Sequence, residues 1–392
     1  MAVYLTDLGL VNALGAGQAA VSQALFAGER ALTLCDWVPG RTTYTAPVTA
    51  NLTSLPPELQ VLDCRNARLA ATALEQISPT LELALERYGA HRVAVVAGTS
   101  TSGIAEGEAA IKSLMETGKL PAQYHYSQQE IGNLCALVTK LTGATGPSYT
   151  LSTACSSSAH ALGSAKRLLD AGLADAVIAG GADSLCRLTV NGFAALESVS
   201  AEPCLPFSVN RSGINIGEAA AFFLVTREPL IHDIELLGVG ASSDAHHISA
   251  PDPTGAGAEA AIRAALSSAR CEPDEVDYIN LHGTGTPLND AMEAAVVARL
   301  FSHQPLCSSS KGQLGHTLGA AGATETALCW LALTESCTPP HVWDKQPDPA
   351  LPELYFAPRN SLLLPASPRV VLSNSFAFGG NNAAVLLGDS RS

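Results

Sequence analysis

A chain of 392 residues that is 47% hydrophobic and only 15% charged has enough apolar side chains to bury a large core, most simply as two fused modules, and is not a disordered or solvating protein. Its 22 basic and 36 acidic residues leave a net charge of −14, with no basic run and few aromatics, so the footprint that a phosphate backbone requires is missing and no nucleic-acid partner is expected. No charge-free apolar run approaches membrane length, so no membrane span is expected. The start MAVYLTDLGLVNALG carries Asp7 and has no basic residue before Arg30, which predicts no secretory signal. Ten cysteines are scattered without a CxxC pair, a pattern of reduced thiols expected in the cytoplasm rather than of a disulfide framework or a zinc site.

Taken in chain order, short β-rich runs alternate with helical stretches rich in alanine, leucine and glycine, as in layered α/β proteins on mostly parallel sheets. Strands are predicted at Arg92–Gly98, Ala176–Gly180, Val276–Leu281 and Val370–Ser373. Helices are predicted at Arg65–Ile77, Ser156–Ala171, Ala258–Ser268, Asp290–Leu300 and Gly319–Leu333. A weak duplication is visible: VYLTDLGL from Val3 opens a first half and IELLGVGA from Ile234 a second, and each half has a strand running into a glycine-rich turn. The boundary is placed near Pro229, giving modules 1–229 and 230–392. Turn-rich segments at Pro203–Gly217 and Ser336–Pro352 read as excursions from the two cores.

From Leu141 to Ala165 there is no Asp, Glu, Lys or Arg, so the strand, turn and helix start of SYTLSTACSSSAHALGSA should be buried on several sides. Cys155 lies in its middle, at or near a helix N-terminus. That position lowers a thiol pKa through the helix dipole, whereas burial raises it. The setting is that of a strand-to-helix elbow which presents a nucleophile, and the other nine cysteines read as small buried hydrophobes. His282 follows the apolar strand VDYINL and precedes GTGTP, whose two glycines bring Thr284 and Thr286 close to a bound molecule. His316 lies in SSSKGQLGHTLGAAGATE, again between a strand-like stretch and a small-residue helix, and strand-end glycine turns are where active sites of α/β folds collect.

Lys311 and Glu325 flank His316 and are expected to form an ion pair that fixes its imidazole. In NSFAFGGNN, Gly379 and Gly380 imply an unusual backbone beside an aromatic lid of Phe376 and Phe378. No metal site is expected, since His246-His247 has no further ligands at a supporting spacing. Walker, dinucleotide and GxSxG fingerprints are absent.

With TACSSS, LHGTGTPLND, KGQLGHTLGAAGATE and NSFAFGGNNA in this order, together with AVIAGGAD and PFSVNRSGINIGEAAAFFLV, the chain resembles an elongating β-ketoacyl-acyl carrier protein synthase over nearly its whole length. The resemblance implies the thiolase-like α/β fold: two pseudo-duplicated βαβαβαββ halves in five α-β-α-β-α layers, usually as a dimer. It implies Cys155 as acyl acceptor, and His282 and His316 on the malonyl thioester oxygen with Lys311 and Glu325 behind. Thr284 and Thr286 would lie on the phosphopantetheine arm, and the amides of Cys155 and Phe378 would form an oxyanion hole behind the gate residues Phe376 and Gly379. The reaction implied is acyl transfer followed by decarboxylative condensation with malonyl-acyl carrier protein, extending a fatty-acid, polyketide or polyene chain. No cofactor is implied beyond the pantetheine of the carrier. Partners are the acyl carrier protein and either a second copy or a chain-length factor. A synthase-like subunit devoted to partner binding or chain-length control is the alternative, which Cys155 disfavours.

Several residues depart from the family pattern. Ala377 and Asn381 replace a glycine and a threonine of the gate, which predicts a stiffer lid. Thr101 stands where a bulky aliphatic residue plugs the acyl pocket in some relatives, predicting room for longer or unsaturated chains. Arg65 and Arg68, at the start of a helix whose family counterpart contacts the carrier, are the expected docking patch in a chain that is acidic overall.

Overall fold

Val95 and Val96 point to opposite faces of one strand, and both are fully buried. Such a strand must be covered on two sides, and the computed structural model, which describes residues 2–363 and 368–389, shows what covers it. Five strands form the first half: β1 (Tyr4–Asn12), β2 (Val93–Gly98), β3 (Ser148–Leu151), β4 (Ala176–Asp183) and β5 (Ala219–Thr226). The second holds β6 (Glu235–Ser243), β7 (Tyr278–Asn280), β8 (Leu306–Ser308), β9 (Val370–Phe376) and β10 (Asn381–Gly388), with the short strand Tyr355–Phe356 added on the outer edge of β8.

The first half is ordered β3-β2-β4-β5-β1 and the second β8-β7-β9-β10-β6. In each, the first three strands of that order run parallel and the last two junctions are antiparallel. The weak echo between Val3–Leu10 and Ile234–Ala241 is therefore a repeat of topology. The two opening strands β1 and β6 also meet, through Tyr4 opposite Glu235, and join the halves into one large sheet.

Six helices complete the layers: α1 (Arg65–Gln76), α2 (Asn133–Thr142), α3 (Ser157–Asp170), α4 (Ala256–Ala269), α5 (Pro287–Leu300) and α6 (Ala321–Glu335). Leu69 of α1 and Leu137 of α2 pack with Val95 and Ile178 on one outer face. Ile262 of α4 and Val296 of α5 pack with Ile279 and Leu372 on the other. Between the two halves, Leu162 of α3 and Leu328 of α6 join Val96 and Val177 of one half to Val371 and Val385 of the other. The result is the expected α-β-α-β-α stack.

Helix α6 is buried from Ala321 to Leu333, which is why its sequence is apolar all round rather than striped. A Cβ on Gly322 would stand 2.5 Å from the Ala159 nitrogen, so α3 and α6 approach to backbone contact there. The helix expected from Gly319 begins at Ala321, with Leu318–Ala320 forming a 3-10 turn before it. The two excursions pack against each other: Arg211 pairs with Asp348, and the Val209 amide donates to the Gln346 carbonyl.

Candidate active site

The elbow between β3 and α3 is tight enough to push Ala154 to φ +51°, a left-handed conformation uncommon for a residue with a Cβ. Ser157 Oγ accepts from the Thr153 amide at 2.9 Å and Ser156 Oγ donates to the Thr153 carbonyl at 2.9 Å, which fixes the turn. Cys155 is thereby held two residues before the first residue of α3, buried, with its sulfur 3.0 Å from Nε2 of His316. The His282 ring stands edge-on to that of His316, centroids 5.3 Å apart, and Phe376 closes the other side of His282 at 6.1 Å. Residues 155, 282 and 316 thus meet where the heads of α3, β7 and the turn before α6 converge.

His316 is held by its backbone. Its amide donates to the Asn215 carbonyl at 2.7 Å and its carbonyl accepts from the Gly217 amide at 2.9 Å, so the excursion ending at Gly217 returns to clamp the histidine. His282 is held by Glu293 of α5, whose two oxygens accept the amides of His282 and Gly283 at 2.8 and 2.7 Å. Asn374 donates to the same carboxylate at 3.1 Å. One turn earlier on α5, Asp290 accepts from the amides of Gly285 and Phe207.

Burial dominates the electrostatics. It pushes the Cys155 thiol up to about 12, against the pull of Lys311 and of the Phe378 amide, which hydrogen-bonds the sulfur. At this thiol desolvation outweighs the Lys311 charge and the Phe378 amide. Both imidazoles are held well below their ordinary value, by burial first and then by the nearby Lys311 charge. The resting pair is a neutral thiol against a neutral imidazole. Glu293 and Asp290 are raised by burial to about 7 and about 6.

A cavity of about 300 Å³ opens above these groups, lined by Cys155, His282, His316, Thr284, Thr286 and Phe376. Thr284 and Thr286 are linked through their hydroxyls at 2.8 Å. Phe378 also lines it, its ring 5.3 Å from that of Phe193 on the helix Arg187–Ala195, and Gly379 and Gly380 both take positive φ in the turn that follows. Ala377 is extended, at φ −103°, so its methyl costs nothing in this gate conformation.

Two expectations, for Lys311 and for Arg65, need correction. Lys311 pairs with Glu325 as expected, but its ammonium then reaches the His282 carbonyl rather than His316. The pair supports the first histidine directly and the second only through its charge. Thr101 is fully buried and does not line this cavity, and its hydroxyl donates to Asp183. Arg65 is not a free surface cation: its guanidinium folds inward onto the buried Glu218 and the Val48 carbonyl, and Arg68 pairs with Asp63. A helix-start arginine looks solvated in sequence, yet among the described residues it is the cation paired with the buried Glu218, 153 positions away.

Sequence reasoning did not single out Asp183, Asp290, Glu293 or Asn215. Asp290 and Glu293 lie on a helix that follows a glycine turn, three residues apart. A pair of acids one turn into such a helix, able to cap the turn's amides, is the signal that points to them.

Fold and site together make this a thiolase-like condensing enzyme, an acyltransferase class. Two family models, for the β-ketoacyl synthase N-terminal and C-terminal domains, match residues 52–229 and 234–343, and the chain belongs to the β-ketoacyl synthase family. It is 32% identical to 3-oxoacyl-[acyl-carrier-protein] synthase 2 of Coxiella burnetii over 98% of each chain. It is 32% identical to nodulation protein E of Rhizobium meliloti over 81% of this chain and 80% of that one. Among solved structures, the ketosynthase ApeO in complex with its chain length factor ApeC from Xenorhabdus doucetiae is 45% identical over 99% of this chain and 98% of that one, with a TM-score of 0.93. The ishigamide ketosynthase/chain length factor is 27% identical with a TM-score of 0.88, covering 99% of both chains.

Proposed function

We propose that this β-ketoacyl synthase carries a growing acyl chain on Cys155 and extends it with a malonyl unit presented by acyl carrier protein, working beside a chain-length-factor subunit. The observation that supports it most is the 3.0 Å contact of Cys155 with His316 and the edge-on placement of His282, two neutral imidazoles over one thiol. In the first half-reaction the sulfur attacks the carbonyl carbon of an acyl thioester and its proton passes to the departing carrier sulfur. The oxyanion is met by the amides of Cys155 and Phe378, and the carrier thiol leaves with a proton. In the second, the malonyl carboxylate leaves as CO₂, and the electron pair moves onto the thioester oxygen, where His282 and His316 donate hydrogen bonds. The resulting enolate carbon attacks the Cys155 thioester, expelling the thiolate and leaving a β-ketoacyl group on the carrier.

The pantetheine arm comes with the carrier, and no resident cofactor enters these steps. Thr284 and Thr286 lie along the cavity wall where such an arm would pass. The partner reading rests on likeness to ketosynthases solved with a chain length factor, and on this chain's own surface. On the helix Ile104–Thr117, Ile111, Leu114 and Met115 are exposed, as is Leu120 just beyond, and β3 ends the sheet order nearby in sequence. Such a face suits a second subunit. Arg68, whose pair with Asp63 is solvent-exposed, is the docking candidate that remains for the acidic carrier.

Cys155→Ala tests the central claim. Intact-protein mass spectrometry after incubation with acyl-acyl carrier protein should show an acyl adduct on the native chain and none on the variant. Condensation by the variant at the native rate would remove Cys155 from the mechanism, and neither adduct nor condensation with the native chain would instead favour a subunit whose role is partner binding.

A further inference from the structure

Asp183, the last residue of β4, is fully buried, and none of the steps above uses it. Two turns meet on its carboxylate. From the turn after β2, it accepts the Thr99 hydroxyl at 2.6 Å, the Ser100 amide at 2.8 Å, and both the amide and the hydroxyl of Thr101 at 3.0 Å. The Ser100 hydroxyl donates to its other oxygen. From the turn after His316, the Gly319 amide donates to that same oxygen at 2.6 Å and lies 3.3 Å from Ser100 Oγ.

The second turn is under constraint. Leu318 is held at φ +52°, and a Cβ on Gly319 would lie 2.7 Å from the Ser100 nitrogen and 2.8 Å from the Asp183 carboxylate. A side chain there would part the two turns, so the close approach depends on glycine. The turn is also tied to the nucleophile's helix, because the Ala323 amide donates to Ser158 Oγ at 2.8 Å.

We propose that Asp183 is a positioning residue for His316: one carboxylate fixes the backbone just beyond the imidazole and locks it to the Thr99–Thr101 turn, so that a displacement of that turn reaches the histidine facing Cys155. This rests on the role given to His316 in the condensation step. Asp183 acts through His316 and makes no contact with the cavity, so its loss should slow the second half-reaction and spare the first.

The test uses the full chain and two readouts: single-turnover acylation of Cys155 by mass spectrometry, and CO₂ release from malonyl-acyl carrier protein by the acylated enzyme. Ser100→Ala removes the hydroxyl shared between Asp183 and Gly319. Its CO₂ release should fall by about tenfold, the factor carried by one charge-assisted hydrogen bond. KM for the malonyl carrier should stay within about twofold, with acylation unchanged. Asp183→Asn should lower the same rate further, and the double variant should lose less than the sum of the two, since both act on one network. Equal losses in acylation and CO₂ release, or native CO₂ release in a folded variant, would overturn the proposal. If Asp183→Asn does not fold, Ser100→Ala and Thr101→Val decide by the same split. Absence of Cys155 acylation in the native protein would sink the synthase reading and this inference with it, whereas native acylation with equal losses in both half-reactions would sink this inference alone.

Discussion

Residues 155, 282 and 316 stand out because each lies in a glycine-rich or charge-free stretch where a polar side chain has no structural excuse. The residues that hold them do not stand out, because a carboxylate that caps backbone amides looks in sequence like one that faces water. Glu293 is the clearest case. Its two oxygens hold the His282–Gly283 turn. Glu293→Gln sets an amide N–H against one of those backbone donors. The substitution should destabilise the fold by about 1–3 kcal/mol, the cost of leaving a buried donor unpaired, and slow condensation through His282. It also has a pH signature. The unfolded chain releases this proton near 4.5, whereas the folded chain holds it to about 7, so between those values the native state binds more protons and native stability falls as pH rises. Denaturant titrations across that window should show a shallower pH dependence in Glu293→Gln than in the native protein. An unchanged slope would mean that Glu293 is ionised throughout.

Among the elements, α3 and α6 decide the geometry, because they follow Cys155 and His316 on facing surfaces of the middle layer. Their approach depends on Gly322, whose missing Cβ leaves room for the Ala159 backbone. Gly322→Ala improves helix propensity yet forces the helices apart, and overpacking against backbone should outweigh the gain, for a net loss of about 1–3 kcal/mol in thermal or denaturant unfolding. A stabilised variant would show that the layer can spread. The β9–β10 hairpin has the opposite character. Gly379 and Gly380 at φ +77° and +72° let Phe378 turn its amide to the sulfur while its ring meets Phe193 at the cavity mouth.

For the whole molecule, the repeat of strand order in the two halves places the head of α3 against the turn before α6, so each half supplies part of one site. The acidic balance of −14 argues against indiscriminate association and leaves apolar contact as the main source of subunit affinity. Ile111 and Leu114 lie three residues apart on one helix and are 59% and 45% exposed. Replacing both by Glu should convert a dimer, or a complex with a chain-length factor, to a monomer in size-exclusion chromatography with light scattering, while the far-UV circular dichroism stays native. Retention of the assembled mass would move the interface elsewhere.

The layered α/β class, the order of the motifs and the choice of residues 155, 282 and 316, which the fold brings together, are legible in the sequence, because small residues, glycine turns and a lack of charge are local properties. What only the tertiary structure decided is pairing at a distance. Arg65 finds Glu218, Lys311 reaches the carbonyl of His282, and Thr101 donates to Asp183. Each of these contacts joins residues 29 to 153 positions apart, brought together by the packing of turns and strand ends within one half of the fold. A buried charge takes whichever partner the packing brings within hydrogen-bond reach, and no periodicity in the chain records that choice.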